Sequence, residues 1–236
     1  MTTPNDSLDF YPTPDSLAFD MVFSLREVKS GFTTYPKPIL EPSAGDGALA
    51  RQVHALAFNV HHDYKTGEVD QYDKGKARSA ELDCIELSSD FRAVLKKDGF
   101  RVVHDNFLTF RPTTKYAAIV MNPPFSAGAA HLLKALDVMQ DGGKIRCLLN
   151  AETLRNPCTN ERKELAAKLE ELHATVKYIP DAFKNARRAA VVHLLFNVIG
   201  VVVLLTVFCI VRAALAPAFL NLSLIHISEP TRRSYI

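Results

Sequence analysis

At 236 residues the chain is long enough for one α/β domain with a sizeable core and too short for two. Its 47% hydrophobic and 23% charged composition is that of a globular protein, and a net charge of +2 marks no wholesale nucleic-acid binder, leaving only a local basic groove open. Cys84, Cys147, Cys158 and Cys209 form no C-x-x-C pair, which argues against a zinc site or a disulfide framework and suits a reducing cytoplasm; the polar, acidic stretch Met1 to Phe10 is not a secretory signal.

Phe10-Tyr11-Pro12-Thr13-Pro14 reads as extended, because each proline pushes its predecessor away from helix. Asp15 or Ser16 is then expected to cap a helix with the apolar face Leu17, Met21, Val22 and Leu25. Gly31 to Pro38 reads as a loop. A short buried strand, Pro38 to Leu40, runs through Glu41-Pro42-Ser43-Ala44-Gly45-Asp46-Gly47 into a helix from Ala48 to Ala57. Residues 58–81 are polar and without period, and are read as a flexible surface insertion. Alternation resumes with the strand Leu82 to Leu87, the helix Ser89 to Lys97 and the strand Phe100 to His104. Tyr116 to Met121 is a nearly continuous apolar run, as a central parallel strand requires. A helix from Ala127 to Met139, a Gly142-Gly143 turn, a strand Lys144 to Leu149 and a helix Glu161 to His173 follow. Final strands are expected near Thr175 to Ile179 and Ala190 to Val198. The alternation predicts a doubly wound, Rossmann-like, mostly parallel sheet with an antiparallel last strand, occupying residues 1–199. Such sheets bind ligands beyond the carboxyl ends of their strands.

Four motifs fall at those ends. Gly45 and Gly47 let backbone approach a ligand where a strand turns directly into a helix. The loop is shorter than the dinucleotide pattern and opens with an acid, Glu41, so it favours a ligand with a cationic end over a pyrophosphate. Glu86, beside Leu87, can accept both ribose hydroxyls of a nucleoside; the insertion accounts for its lying further from the glycines than the usual spacing of about 20 residues. In Asp105-Asn106-Phe107 the aspartate can accept an adenine amino group, with Phe107 packing nearby. Taken singly, Glu86 and Asp105 are ordinary solvated acids; their position in the series gives them meaning.

The fourth motif, Asn122-Pro123-Pro124-Phe125, decides the reading. An aromatic amine is a poor nucleophile because its lone pair is delocalised into the ring. The side-chain oxygen of Asn122 and the carbonyl of Pro123 can accept its two hydrogens and localise that lone pair. Prolines stiffen the loop, preorganising both acceptors, and Phe125 offers a stacking face for a base.

With these motifs the chain resembles the class I S-adenosylmethionine (AdoMet)-dependent amino-methyltransferases, specifically the adenine-specific DNA branch. That family carries an aromatic N-terminal motif, a D/E-P-x-x-G-x-G loop and an N-P-P-F/Y tetrapeptide in this order. The resemblance covers residues 10–198. It implies direct methyl transfer from AdoMet to the amino group of adenine in DNA, with Asn122, Pro123, Pro124 and Phe125 at the reacting end. It assigns the cofactor to Tyr11, Thr13, Pro14, Glu41, Pro42, Ala44, Gly45, Asp46, Gly47, Glu86, Leu87, Asp105, Asn106, Phe107 and Asn122. Tyr11, Thr13 and Pro14 would help hold the methionyl part.

Two alternatives stay open. The same loop serves methylation of RNA bases or of a protein glutamine, and the chain could be a cofactor-binding module inactive without a further C-terminal region. The Pro157-Cys158 pair lies after the wrong strand to be a ring-carbon methyltransferase nucleophile, and His61-His62 has no partners at metal-ligand spacing, so no metal is expected. Basic residues between Lys74 and Arg78, and Lys184, Arg187 and Arg188, could touch phosphates, although solvated surface charge is the better description of each. No room for a recognition region remains after Val198, so three readings stay open: it was cut off, a separate specificity subunit supplies it, or the enzyme is weakly selective. Leu194 to Val211 carries no charge and approaches the length of a membrane span, but a membrane partner is not expected. The apolar segment 200–221 is of doubtful origin, because Leu222 to Arg232 resembles the translation of a transposase-type sequencing adapter; residues 222–236 are therefore expected to be foreign to the protein.

Overall fold

The computed structural model describes residues 10–179 and Thr206. The chain divides into two units, 1–182 and 183–236, and the elements below lie in the first.

Helix α1 (Asp15–Phe23) leads into a two-stranded antiparallel hairpin, β1 (Glu27–Lys29) and β2 (Phe32–Thr34). Strand β3 (Ile39–Glu41) enters α2 (Ala48–Phe58); α3 (Lys74–Ser79), β4 (Leu82–Ile85), α4 (Ser89–Lys97) and β5 (Arg101–His104) follow. The chain then crosses back to β6 (Tyr116–Met121), a 3₁₀ turn (Phe125–Ala127), α5 (Gly128–Val138) and β7 (Met139–Cys147). Two further helices, α6 (Glu152–Arg155) and α7 (Asn160–Glu171), complete the described part.

The main sheet has the order β5-β4-β3-β6-β7, and every pairing in it is parallel. It is the doubly wound, Rossmann-like architecture that the alternation predicts. From β3 the chain winds outward through β4 and β5, then returns to the other side of β3 as β6. The reversal puts a crevice between the carboxyl ends of β3 and β6, where open α/β sheets take ligands.

Side-chain alternation along the central strands builds two cores. Ile39, Leu82, Cys84, Ala118 and Val120 face α1, α2 and Leu95 of α4. Leu40, Ile85, Ile119 and Met121 face α5 and Leu165 of α7. All six residues of β6 are buried, which is why its sequence is continuously apolar rather than alternating.

Several local readings are corrected. A hairpin occupies part of the stretch read as a loop, with Ser30 and Gly31 both at positive φ in its turn. Neither Asp15 nor Ser16 caps α1; Pro14 precedes it and no side chain caps its start. The insertion holds a regular helix, α3, and a bridge between His62 and Val69. Strand β7 begins at Met139 and bulges around Gly142-Gly143, where a Cβ on Gly143 would come within 2.9 Å of the Gln140 carbonyl. Thr175 to Ile179 forms no strand: each of these residues is exposed, so no face of the segment is buried against a neighbour. The expected antiparallel strand Ala190 to Val198 lies outside the described residues, as do the segments 200–221 and 222–236 apart from Thr206. Among the described residues, no helix is long and apolar enough to cross a membrane.

Candidate functional site

The sheet brings the four motifs to one edge. Asp105, Glu86, Glu41 and Asn122 stand at the carboxyl ends of β5, β4, β3 and β6, in that spatial order. Parallel pairing in near-constant register converts four distant sequence positions into a row.

The glycine loop is tightly held. Gly45 (φ +53°) and Gly47 (φ +84°) both take the left-handed conformation that other residues avoid. Ala44 donates its N–H to the carbonyl of Ile85 at 3.0 Å, tying the loop to β4. Asp46 Oδ1 accepts from Ala48 N at 3.1 Å and so closes the start of α2. Arg51, one turn into α2, donates from Nη1 to the Asp46 carbonyl at 2.7 Å and lies 3.9 Å from the buried Asp98. Sequence reading missed Arg51, since a lone arginine on a helix carries no pattern.

Glu86 is engaged within the protein itself. Its Oε2 accepts from Gly45 N at 2.7 Å and its Oε1 from Ser88 N at 2.8 Å, so the carboxylate braces the glycine loop against the start of α4. Each oxygen keeps a lone pair for a ligand hydroxyl. Arg92 Nη1 holds the backbone here, donating to the Glu86 carbonyl at 2.9 Å. Leu87 is exposed beside it, and Phe107 is buried in the core behind. Asp105 is exposed beyond the edge strand, and Asn106 Oδ1 turns the chain by accepting from Leu108 N at 3.0 Å.

Glu41 is 1% exposed. Burial pushes its carboxyl pKa well above the usual range; Asp46 and Glu86 raise it further, and Arg51 and a backbone hydrogen bond from Ala50 oppose them. Its Oε2 has no hydrogen-bond partner. Across the crevice, Asn122 Nδ2 donates to the Tyr11 carbonyl at 2.9 Å and to Thr13 Oγ1 at 3.1 Å. Asn122 Oδ1 is buried without a partner. Among the described residues, these two oxygens are the only buried side-chain polar atoms left unsatisfied. An unpaired buried polar atom costs about 1–3 kcal/mol, so two of them at one crevice mark a place shaped for something else to bind.

The N-terminal motif covers both halves of the crevice. Phe10 lies on Gly45, where a Cβ would come within 2.5 Å of its ring, and its centroid is 4.7 Å from that of Phe91. The Tyr11 ring stacks on Phe125 at 5.0 Å with 19° between planes. Pro123 is buried, and Pro124 accepts from Ala127 N at 3.0 Å to start the turn that carries Phe125. Pro42 and Ala44 are buried or nearly so at the base of the loop.

Fold and site together define a doubly wound α/β ligand-binding domain with its crevice at the β3–β6 switch point. No protein-family model matches the chain, and no curated protein is significantly similar to it. Solved structures are similar in part. The glycopeptide N-methyltransferase MtfA is 17% identical, with a TM-score of 0.41 over 63% of this chain and 59% of its own. Protein PH1948 from Pyrococcus horikoshii is 19% identical, with a TM-score of 0.45 over 72% of this chain and 73% of its own. TrmN from Thermus thermophilus is 13% identical, with a TM-score of 0.40 over 65% of this chain and 40% of its own. The chain thus spans less than two thirds of MtfA and of TrmN, and likenesses at this level assign neither a family nor an activity.

Proposed function

We propose that the chain transfers a methyl group from AdoMet to the exocyclic amino group of adenine in DNA. The observation that carries this reading is the pair of unsatisfied buried acceptors, Glu41 Oε2 and Asn122 Oδ1, on neighbouring strand ends at the switch point.

AdoMet fits the first. Burial first, and then the neighbouring carboxylates Asp46 and Glu86, raise the Glu41 pKa, and a cationic ligand end offsets both by favouring its charged form. Glu86 and Asp105, on successive strand ends, suit the ribose and adenine of the same molecule. The bound cofactor supplies a methyl group on a positively charged sulfur. The protein's own contribution is at the acceptor. Asn122 Oδ1 accepts one hydrogen of the amine and the Pro123 carbonyl is the second acceptor, so the nitrogen lone pair is localised and aimed. Both acceptors are fixed before substrate arrives, which is where electrostatic catalysis gains most. Transfer is direct, without a covalent enzyme intermediate.

Phe125 supports a flat ring as the acceptor, since it already stacks an aromatic ring, that of Tyr11. The choice of DNA rests on the resemblance of the Tyr-Pro-Thr-Pro and Asn-Pro-Pro-Phe motifs to the adenine branch, with target choice left to a separate specificity subunit or region. The test is methyl transfer from labelled AdoMet to duplex DNA, RNA and bulk protein in parallel. Label recovered as methylated adenine is the expected result. Label in RNA or in protein glutamine alone keeps the chemistry and overturns the substrate; bound AdoMet without transfer overturns the activity of the chain by itself.

A further inference from the structure

We infer that Thr13 is a positioning residue: with the Tyr11 carbonyl it fixes the amide of Asn122 in the orientation that presents oxygen, not nitrogen, to the acceptor amine. An asparagine amide is nearly symmetric in shape but opposite in polarity at its two ends, so a flip of the side chain would offer an NH₂ where the chemistry needs a lone pair. Something must choose between the two. The Tyr11 carbonyl can only accept, so the Nδ2 hydrogen at 2.9 Å must be directed at it. The second Nδ2 hydrogen goes to Thr13 Oγ1 at 3.1 Å, from a residue only 8% exposed. Both amide hydrogens are thereby taken, and Oδ1 is left buried with no donor to accept from.

The sequence explains how one short segment reaches Asn122 twice. Tyr11 and Thr13 each precede a proline, which holds both in extended backbone. Pro12 between them has a fixed φ, so the Tyr11 carbonyl and the Thr13 side chain are presented as a rigid pair. Phe10 on Gly45 and Tyr11 on Phe125 anchor the start of the segment. A segment more than a hundred residues away in sequence therefore sets the polarity of the acceptor site. This assigns Thr13 to the acceptor side, where the family resemblance would put it on the cofactor.

The catalytic consequence rests on the amino-methyltransferase reading; the orientation does not, and the experiment separates them. Full-length chain with ¹⁵N-labelled asparagine gives side-chain amide signals, of which that of Asn122 is identified by its loss in Asn122→Ala. Thr13→Val removes the hydroxyl at nearly constant shape, Thr13→Ser keeps it, and Thr13→Ala replaces the valine variant should that one not fold. We expect Thr13→Val to shift the Asn122 amide signals and speed their exchange. On the acceptor that the unaltered chain methylates, kcat should fall about three- to tenfold, one hydrogen bond's worth, with KM and AdoMet affinity nearly unchanged. Thr13→Ser should recover most of both effects. Unmoved Asn122 signals in Thr13→Val would overturn the orientation. A weakened AdoMet affinity with kcat intact would return Thr13 to the cofactor and overturn the proposal as well. If the unaltered chain methylates nothing, the function reading fails, and the amide signals alone decide the orientation.

Discussion

The crevice and the insertion both bury polar groups, but they treat them in opposite ways. Behind α2, every buried group has a partner. His62 Nδ1 donates to the Gly67 carbonyl at 2.7 Å, which leaves Nε2 free to accept from His54 Nδ1 at 2.9 Å. Asp73 accepts from Lys76 Nζ and from His61 N and Nδ1, and these contacts, Lys76 foremost, hold its carboxyl well below the usual range. At the far end of the sheet, Tyr116 donates to Asp83 at 2.7 Å while Arg101 takes the other carboxylate oxygen. At the crevice, by contrast, Glu41 and Asn122 each keep one buried oxygen that receives no donor. Burial of polar groups alone does not mark a functional site; burial without a partner does. The histidines that catch the eye in the sequence are taken up in hydrogen bonds, and the unsatisfied oxygens lie with the acid and amide of the crevice, to which the proposed function gives the chemistry.

The sharpest way to break this comparison is Asn122→Ala. Losing a preorganised acceptor should lower kcat by about a hundredfold or more while AdoMet binding, measured by calorimetry, stays nearly intact. Equal loss of both would place Asn122 with the cofactor. Next in size is Glu41→Gln, expected to weaken AdoMet by about ten- to a hundredfold, the worth of a contact to a charged group. The same change should stabilise the empty protein. With its carboxyl pKa raised, folded Glu41 keeps a proton over a range where the unfolded chain has lost it, so stability falls as pH rises above the ordinary 4.5. Glu41→Gln should therefore raise Tm more at pH 8 than at pH 5; a lower Tm at pH 8 would deny that Glu41 sacrifices stability for binding.

Smaller effects belong to the satisfied regions. Burial, with His62 close by, pushes the His54 pKa down from 6.5 to about 3. The unfolded chain then takes up a proton that the folded chain refuses, and stability is lost as pH falls from about 6.5 toward 3. In His54→Gln the dependence of Tm on pH over that window should flatten; an unchanged slope would remove His54 as its source. Smallest is Tyr116→Phe, expected to cost about 0.5–1.5 kcal/mol in denaturant unfolding and to leave methyl transfer alone. A change in kcat there would extend the functional site to the wrong end of the sheet.

Much of the fold was legible because its signals are local. The apolar run Tyr116 to Met121 could only be a strand buried on both faces, and the glycines before Ala48 could only be a turn into a helix. Helix α4 has the bounds its sequence predicts, Ser89 to Lys97; the structure adds that Ser88 caps it, its side chain accepting from Phe91 N. The failures share a cause: elements that exist only through distant contacts. Helix α3 has no hydrophobic period, and is set by Asp73 holding His61 and Lys76. Thr175 to Ile179 has strand-like residues but nothing to pair with among the described residues.

The sequence by itself determined which residue types stand at the strand ends, and hence that Glu41, Glu86, Asp105 and Asn122 would share one edge. That follows from alternation and parallel winding, which the order of apolar runs and turns encodes directly. Only the tertiary structure decided what those side chains face. It turned Glu86 onto Gly45, brought Arg51 to Asp46, and laid Tyr11 and Thr13 against Asn122. The pattern of a single strand or helix specifies which side of an element is buried, whereas hydrogen-bond direction depends on where a segment from elsewhere in the chain comes to rest.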